Sequence, residues 1–445
     1  MRPVNDLARS IQRTYLVLLL GNTLAASFIW GINTLFLLDA GLSNLEAFAA
    51  NAFFTAGMVV FEIPTGVVAD TWGRRMSYLL GTVSLAVATL LYYLLWVVDA
   101  PFSLWALASV LLGLGFTFFS GAVEAWLVDA LHYAEYDGAL ETVLGRGQMV
   151  SGAAMLGGSL AGGVIAQATT LGVPFLLRVA VLLVMFVVAF RMMHDLGFAP
   201  AAARGPVDAV RDVLADSVKY GLGSRPVRWM MLAAPFASGV GFYTFYALQP
   251  YLLDLYGDSQ AYAVAGLAAA AVAGAQIAGG YAAPWIRGLF EKRTTALIVG
   301  ALGSTVILVL LGITSTFWVA LVLVVLWGLV FAANMPIRQA YLNDMIPSQQ
   351  RATVLSFDSL MGSSGGVVIQ PVLGRAADVY SYAASFAVGG VIQLAAVPFL
   401  VLSRREGAEA DLGPFVDVPA PTDHPLHACD RPARQRPVRV AQQSK

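Results

Sequence analysis

Residues 66–75 read Gly-Val-Val-Ala-Asp-Thr-Trp-Gly-Arg-Arg and connect two long apolar runs, residues 46–68 and 77–98. A helix of about 20 apolar residues crosses a bilayer core about 30 Å thick, so both runs are long enough to span a membrane. The connection is short and carries one acid, Asp70, followed by two basic residues, Arg74 and Arg75. This pattern predicts two membrane-spanning helices joined by a tight polar loop.

The composition of the whole chain extends this prediction. Of its 445 residues 58% are hydrophobic and 12% are charged, whereas a soluble protein has about 25% charged residues. The mean hydropathy is +0.73. A formal net charge of −1 argues against a nucleic-acid partner, and the single cysteine, Cys429, allows no internal disulfide. The chain is therefore expected to be a polytopic membrane protein.

The apolar runs are continuous rather than alternating, which excludes a β-barrel and predicts an all-α membrane protein. Twelve runs are long enough to be transmembrane helices, numbered here as spans one to twelve. They are residues 14–38, 46–68, 77–98, 102–130, 143–168, 172–193, 228–254, 261–286, 295–314, 316–342, 353–376 and 382–402.

The two longer polar regions divide the chain into four parts. Residues 1–193 form a six-helix bundle, 194–227 a linker with an amphipathic helix at 207–221, 228–402 a second bundle, and 403–445 a disordered tail. Lysine and arginine near the span ends fall almost entirely on the side of the N-terminus. The positive-inside rule then places both termini and the linker in the cytoplasm, with the chain in the cell (inner) membrane.

Short sequence matches relate the two bundles. Residues 125–129 (Ala-Trp-Leu-Val-Asp) match 340–344 (Ala-Tyr-Leu-Asn-Asp), and two further matches follow in spans five and eleven at offsets of 211 and 212. Three matches in order at nearly one offset indicate a duplicated six-span unit. Two pseudo-symmetric six-helix bundles with a substrate site between them are a transporter architecture.

The loop at residues 66–75 resembles the signature loop of the major facilitator superfamily, and the resemblance covers residues 14–402. It implies that Asp70 caps the start of span eleven near Thr353 and that Arg74 pairs with Asp129. The span-five segment from Gly158 resembles the motif of drug/proton antiporters, with a serine in place of the proline. The predicted cytoplasmic gate comprises Gly66, Asp70, Gly73, Arg74, Arg75 and Asp129.

Ionisable residues at membrane depth are candidates for proton coupling, because burying a charge in lipid costs several kcal/mol. Four such residues lie toward the cytoplasmic side, and a structural salt-bridge network and a proton carrier are both open interpretations. Glu124 is the first candidate, with Arg338 as its pairing partner near the equivalent repeat position. The full set is Glu124, Glu62, Asp358 and Arg338. Arg178, in span six, is expected to extend toward lipid headgroups, and a contact with the substrate is the alternative.

The resemblance also implies that spans one, four, seven and ten line the substrate cavity. Their polar and aromatic residues at mid-depth suit an amphiphilic organic compound. The predicted substrate-binding residues are Phe28, Trp30, Asn33, Tyr243, Tyr246, Gln249, Trp327 and Asn334. Ordinary helix packing is the alternative for each of them.

No Gly-x-x-x-x-Gly-Lys-Ser/Thr loop is present, so an ion gradient rather than ATP is the expected energy source. No enzyme activity, metal or cofactor is expected. The predicted function is proton-coupled export of a small amphiphilic compound by a monomer in the lipid bilayer, working by alternating access. A proton-coupled importer of a nutrient and a non-transporting receptor or scaffold are the alternatives.

Overall fold

The computed structural model describes residues 6–119, 121–198, 200, 211, 221–346 and 351–412. Within these ranges the chain contains helices and no strand, which confirms the predicted all-α class. The amphipathic helix predicted at 207–221 lies almost entirely outside the described residues.

The first half contains eight helices that form six predicted spans. Spans one and four are each built from two helices, the first pair being bent by 46°. The helices are α1 (Asp6–Trp30), α2 (Asn33–Asp39), α3 (Asn44–Trp72), α4 (Arg74–Val97), α5 (Phe102–Thr117), α6 (Ala122–Tyr133), α7 (Leu140–Ala168) and α8 (Gly172–Met192).

The second half repeats this order of six spans, with span twelve built from two helices. Its helices are α9 (Arg225–Tyr256), α10 (Tyr262–Gly288), α11 (Arg293–Ile313), α12 (Phe317–Met345), α13 (Arg351–Val379), α14 (Tyr382–Leu394) and α15 (Ala396–Arg405).

Ten segments of the described chain are long and apolar enough to cross a membrane, and eleven if the bent pair α1–α2 is one span. The remaining predicted span, span eleven, is the 29-residue helix α13, which is more polar than its neighbours. The arrangement is consistent with twelve helices in two halves and is that of a multi-pass membrane protein.

The bundle has two ends. The motif end is the one at which residues 66–75 connect α3 to α4, and the opposite end is the one at which α3 begins after Ser43. The halves contact each other mainly along α3 with α13 and along α7 with α10. Gly163 and Gly266 allow a close approach of α7 and α10, because a Cβ on Gly163 would lie 2.9 Å from the Gly266 Cα.

The predicted boundary of the disordered tail at residue 403 is wrong. Helix α15 continues to Arg405, and a 3-10 turn follows at Glu409–Asp411. Asp411 is only 2% exposed, because its carboxylate accepts hydrogen bonds from the backbone and hydroxyl of Thr294 at the start of α11. Residues 413–445 lie outside the described part of the chain.

Candidate functional site

The predicted gate loop turns at Gly73, whose φ of +103° and ψ of 154° are open to glycine alone. A Cβ at this position would lie 2.3 Å from the Oδ2 atom of Asp195, so the carboxylate occupies the space that a side chain needs. The other Asp195 oxygen accepts a 2.9 Å hydrogen bond from the Arg75 backbone nitrogen and caps α4. Arg75 itself donates to the Phe190 carbonyl at 2.5 Å.

The predicted pairing of Arg74 with Asp129 is wrong in this structure. Arg74 lies 2.5 Å from Asp70, which precedes it by four residues, because the turn at Gly73 brings the two side chains together. Asp70 remains 52% exposed. Its predicted cap on span eleven involves the segment around residues 347–350, which lies outside the described residues.

The ion pair predicted for the first half is present in the second. Arg293, at the start of α11, lies 2.6 Å from Asp344, which is the repeat equivalent of Asp129. Asp411 caps α11 as Asp195 caps α4. Sequence reasoning missed both capping acids, and the available signal was an aspartate shortly after the sixth span of each repeat.

Arg338 and Asp358 form the most buried ion pair in the described chain. The guanidinium of Arg338 on α12 meets both carboxylate oxygens of Asp358 on α13 at 2.5 Å, and also donates to the Met230 carbonyl of α9 at 3.3 Å. Asp358 is 8% exposed. The pair therefore fastens three helices of the second half.

This ion pair lines a cavity of about 460 Å³ inside the second half. The wall is mostly apolar, with a few amide and hydroxyl groups. Besides the ion pair it includes Phe242, Phe331, Asn334, Met335, Gln339 and Leu355. A cavity of this size and lining can hold a small amphiphilic molecule beside an ion pair.

The predicted pairing of Glu124 with Arg338 is wrong, because Arg338 uses both of its terminal nitrogens on Asp358 in its own half. Glu124 is exposed in the first turn of α6 and interacts electrostatically with Tyr15 of α1. Glu62 is half-buried in α3. Of the four predicted coupling residues, the structure thus pairs Arg338 with Asp358.

At the opposite end an acid that sequence reasoning missed joins the halves. Asp378, near the end of α13, accepts hydrogen bonds from the backbone nitrogens of Asn44 and Leu45 at 2.9 and 2.8 Å. Tyr382 donates to the Asn44 side chain. A carboxylate at a helix N-terminus is stabilised by the free N–H groups and the helix dipole, so this contact closes the opposite end.

Gln249 makes a second closing contact at the bend of span one. Its Nε2 donates to the Trp30 carbonyl at 2.7 Å, and its Oε1 accepts from the Thr34 backbone nitrogen at 2.9 Å. Further hydrogen bonds between the halves lie between the opposite end and mid-depth, and one of them joins Gln370 to Thr55 at 3.4 Å. These contacts fasten the halves at the opposite end.

The structure divides the predicted substrate-binding residues into four groups. Trp30, Asn33 and Tyr246 line a small cavity of about 50 Å³ at the interface between the halves, while Asn334 lines the larger cavity. Gln249 closes the opposite end. The others pack between helices, which argues against a lining role for them: Phe28 against the core of the first half, Tyr243 hydrogen-bonded to Ser385, and Trp327 stacked on Phe331.

Arg178 does not extend toward headgroups as expected. It is 7% exposed and lines the 50 Å³ cavity, because its helix α8 turns this face toward the interior of the first half. Among the described residues, no group of three or more His, Cys, Asp or Glu side chains is arranged to hold a metal ion.

The sequence profile of the Major Facilitator Superfamily matches residues 15–368 and, in a second match, residues 283–438. A search of curated protein sequences gives no significant match.

Three solved structures illustrate the likeness of the fold. A mutant of the nucleoside transporter NupG has a TM-score of 0.73 at 10% identity and covers 89% of this chain and 100% of its own. A bacterial homologue of the human lysosomal transporter Spinster, inward-facing and unoccupied, gives 0.66 at 14%, covering 90% and 96%. A D-xylose–proton symporter gives 0.61 at 17%, covering 88% and 96%. At such identities the likeness concerns the fold alone.

Proposed function

The chain belongs to the major facilitator superfamily and is a membrane transporter rather than an enzyme, and on this premise we propose that it exports a small amphiphilic organic compound in exchange for protons. The transport cycle is alternating access between the two halves. The cavity that contains the Arg338–Asp358 ion pair is the observation that carries this proposal, and the hydrogen bonds that join the halves at the opposite end support it.

The proton-binding residue in this proposal is Asp358. Its carboxylate lies in the cavity wall, and protonation removes the charge that holds both Arg338 nitrogens. Arg338 also contacts α9, so releasing the pair loosens three helices at once. A proton on Asp358 therefore favours a rearrangement of the second half, which is the coupling that a proton-driven transporter needs.

The substrate class follows from the cavity. Phe242 and Phe331 offer aromatic surface, and Asn334 and Gln339 offer hydrogen-bonding groups near the ion pair. An amphiphilic molecule can stack on the rings and hydrogen-bond to the amides. This supports an organic compound rather than an inorganic ion as the transported species.

The distribution of lysine and arginine supports a cytoplasmic motif end, with both termini inside a cell membrane. In that orientation the proposed exporter loads its substrate from the motif end. The working unit is proposed to be a monomer in the lipid bilayer, because each chain carries both halves of the pathway.

The test uses inside-out membrane vesicles with an imposed proton gradient and a library of amphiphilic compounds. A compound is identified as a substrate when its addition makes wild-type vesicles release protons. Asp358→Asn should abolish proton-driven accumulation of these compounds and retain their binding, because asparagine keeps the shape but cannot exchange a proton. The matched control is Asp344→Asn, which removes another arginine-paired carboxylate, outside the cavity, and should retain coupled transport.

Proton-driven accumulation by Asp358→Asn at the wild-type level would contradict the coupling role. Substrate movement in the same direction as protons would contradict export and favour the importer. A wild-type protein that binds compounds but moves none would contradict transport itself.

A further inference from the structure

Arg178 presents a charge that the protein does not balance. It is buried in α8, about 9 Å along the helix from Gly172, with no ion pair or hydrogen bond to any described residue. Its Nε is fully buried without a partner. The titratable groups that interact with it are the hydroxyls of Tyr92 and Tyr246, neither of which carries a charge at neutral pH.

A second unsatisfied donor faces the same cavity. Asn51 is 4% exposed, and its carbonyl oxygen accepts a 3.0 Å hydrogen bond from Asn33. This leaves its Nδ2 as a buried donor without a partner. Two orphaned donors, one of them cationic, therefore meet around one space of about 50 Å³. A buried donor without an acceptor is destabilising, and a buried charge without a counter-ion is more so.

The surroundings define what would satisfy both donors. A water molecule could accept from Asn51 but would leave the guanidinium charge unbalanced. A carboxylate or phosphate supplies a negative charge and several acceptor oxygens, and arginine binds such groups through two parallel hydrogen bonds. Trp30, Phe54 and Phe116 complete the wall and would contact an aromatic or aliphatic body attached to the anion.

We propose that the cavity formed by Arg178, Asn51, Asn33 and Tyr246 binds the acidic group, a carboxylate or phosphate, of an organic-anion substrate. This inference rests on the proposed transport function and narrows its substrate class. Tyr246 belongs to the second half and the other three residues to the first, so a bound anion contacts both. It would lie beside Trp30, whose carbonyl accepts the Gln249 hydrogen bond that closes the opposite end.

The test measures heat stability of the purified full-length protein at constant ionic strength. Sodium acetate and sodium phosphate, the probes, are each titrated against sodium chloride, whose anion offers no pair of acceptor oxygens to the guanidinium. A ligand that binds the native state raises the melting temperature in a saturable way. The wild type should respond to acetate, to phosphate or to both, and the more effective ion identifies the acidic group.

Arg178→Gln should abolish the response and, in sodium chloride, should be at least as heat-stable as the wild type, because it removes an unbalanced buried charge. Arg178→Lys keeps the charge without the paired donors and should weaken binding about tenfold or more. The matched control is Arg191→Gln, an exposed arginine on the same helix, which should respond like the wild type.

An equal response in wild type and Arg178→Gln, or no response in the wild type, would overturn the proposal. Repeating the titration in nanodiscs identifies the source of the anion: a response present in zwitterionic lipid and lost in anionic lipid would assign the cavity to a lipid headgroup and overturn a substrate site. An acetate or phosphate response in a protein that moves no compound would retain the anion site and refute transport. Proton-coupled transport without a response to either anion would retain the transport function and refute the anion site.

Discussion

At the scale of single residues, the two motif glycines have different physical roles. Gly73 adopts a positive φ and faces the Asp195 carboxylate, whereas Gly66 is helical with open space where its Cβ would lie. Both glycines belong to the sequence motif, which does not distinguish their roles. The backbone shows that only Gly73 is required by the turn.

Gly73→Ala should therefore lower the stability of the protein by about 1–3 kcal/mol, the usual range for a backbone held in a disfavoured region. Displacing Asp195 from the start of α4 adds to the loss. Gly66→Ala, the matched control, should leave stability unchanged or raise it, since alanine favours a helix. Melting temperatures in detergent provide the comparison, and equal effects of the two substitutions would refute the distinction.

At the scale of helices, spans two and eleven form an antiparallel pair with an acid near the end of each. Asp378, at the end of α13, caps the start of α3 at the opposite end. Asp70, near the end of α3, pairs with Arg74 in this structure, and its predicted cap on the start of span eleven lies outside the described residues. This helix pair thus contains a formed latch at the opposite end.

Asp378→Ala should increase the population of molecules in which the opposite end is open. Loss of an N-cap side chain costs about 0.5–2 kcal/mol, which corresponds to roughly a 2- to 30-fold shift in the open population. The readout is the labelling rate by a membrane-impermeant maleimide of a cysteine at Ala265, a buried position of α10, in a Cys429→Ser background.

The control for this measurement is Asp254→Ala, which removes an exposed acid at the same end that makes no hydrogen bond to the other half among the described residues. It should leave the labelling rate unchanged. A rate that is the same for Asp378→Ala and the wild type would exclude a latch at Asp378.

At the scale of the whole molecule, hydropathy and the internal repeat predicted the all-α fold, the span positions and the central division. These features depend on composition and period, which a sequence displays directly. The partners of charged residues depend on where helices meet in a given conformation. The sequence therefore identified Arg338 and Asp358 as functional candidates but paired Arg338 with Glu124, and it missed Asp195, Asp378 and Asp411 because they act on backbone groups far away in the chain.

Arg74 and Arg293 differ in their partners. Each half repeats the same caps, but the first-half arginine pairs with Asp70 and the second-half arginine pairs with Asp344. In the proposed cycle, closure at the motif end accompanies opening at the opposite end. The two ends should then move in opposite senses.

Double electron–electron resonance on spin-labelled protein in lipid tests this central claim most directly, using a Cys429→Ser background. One pair of labels, at Asp137 and Glu291, spans the halves at the motif end, and a second pair, at Thr170 and Asp258, spans them at the opposite end. We predict that conditions which shorten the first distance, such as a change in pH or added substrate, lengthen the second. Distances that change in the same sense at both ends, or at neither, would contradict alternating access.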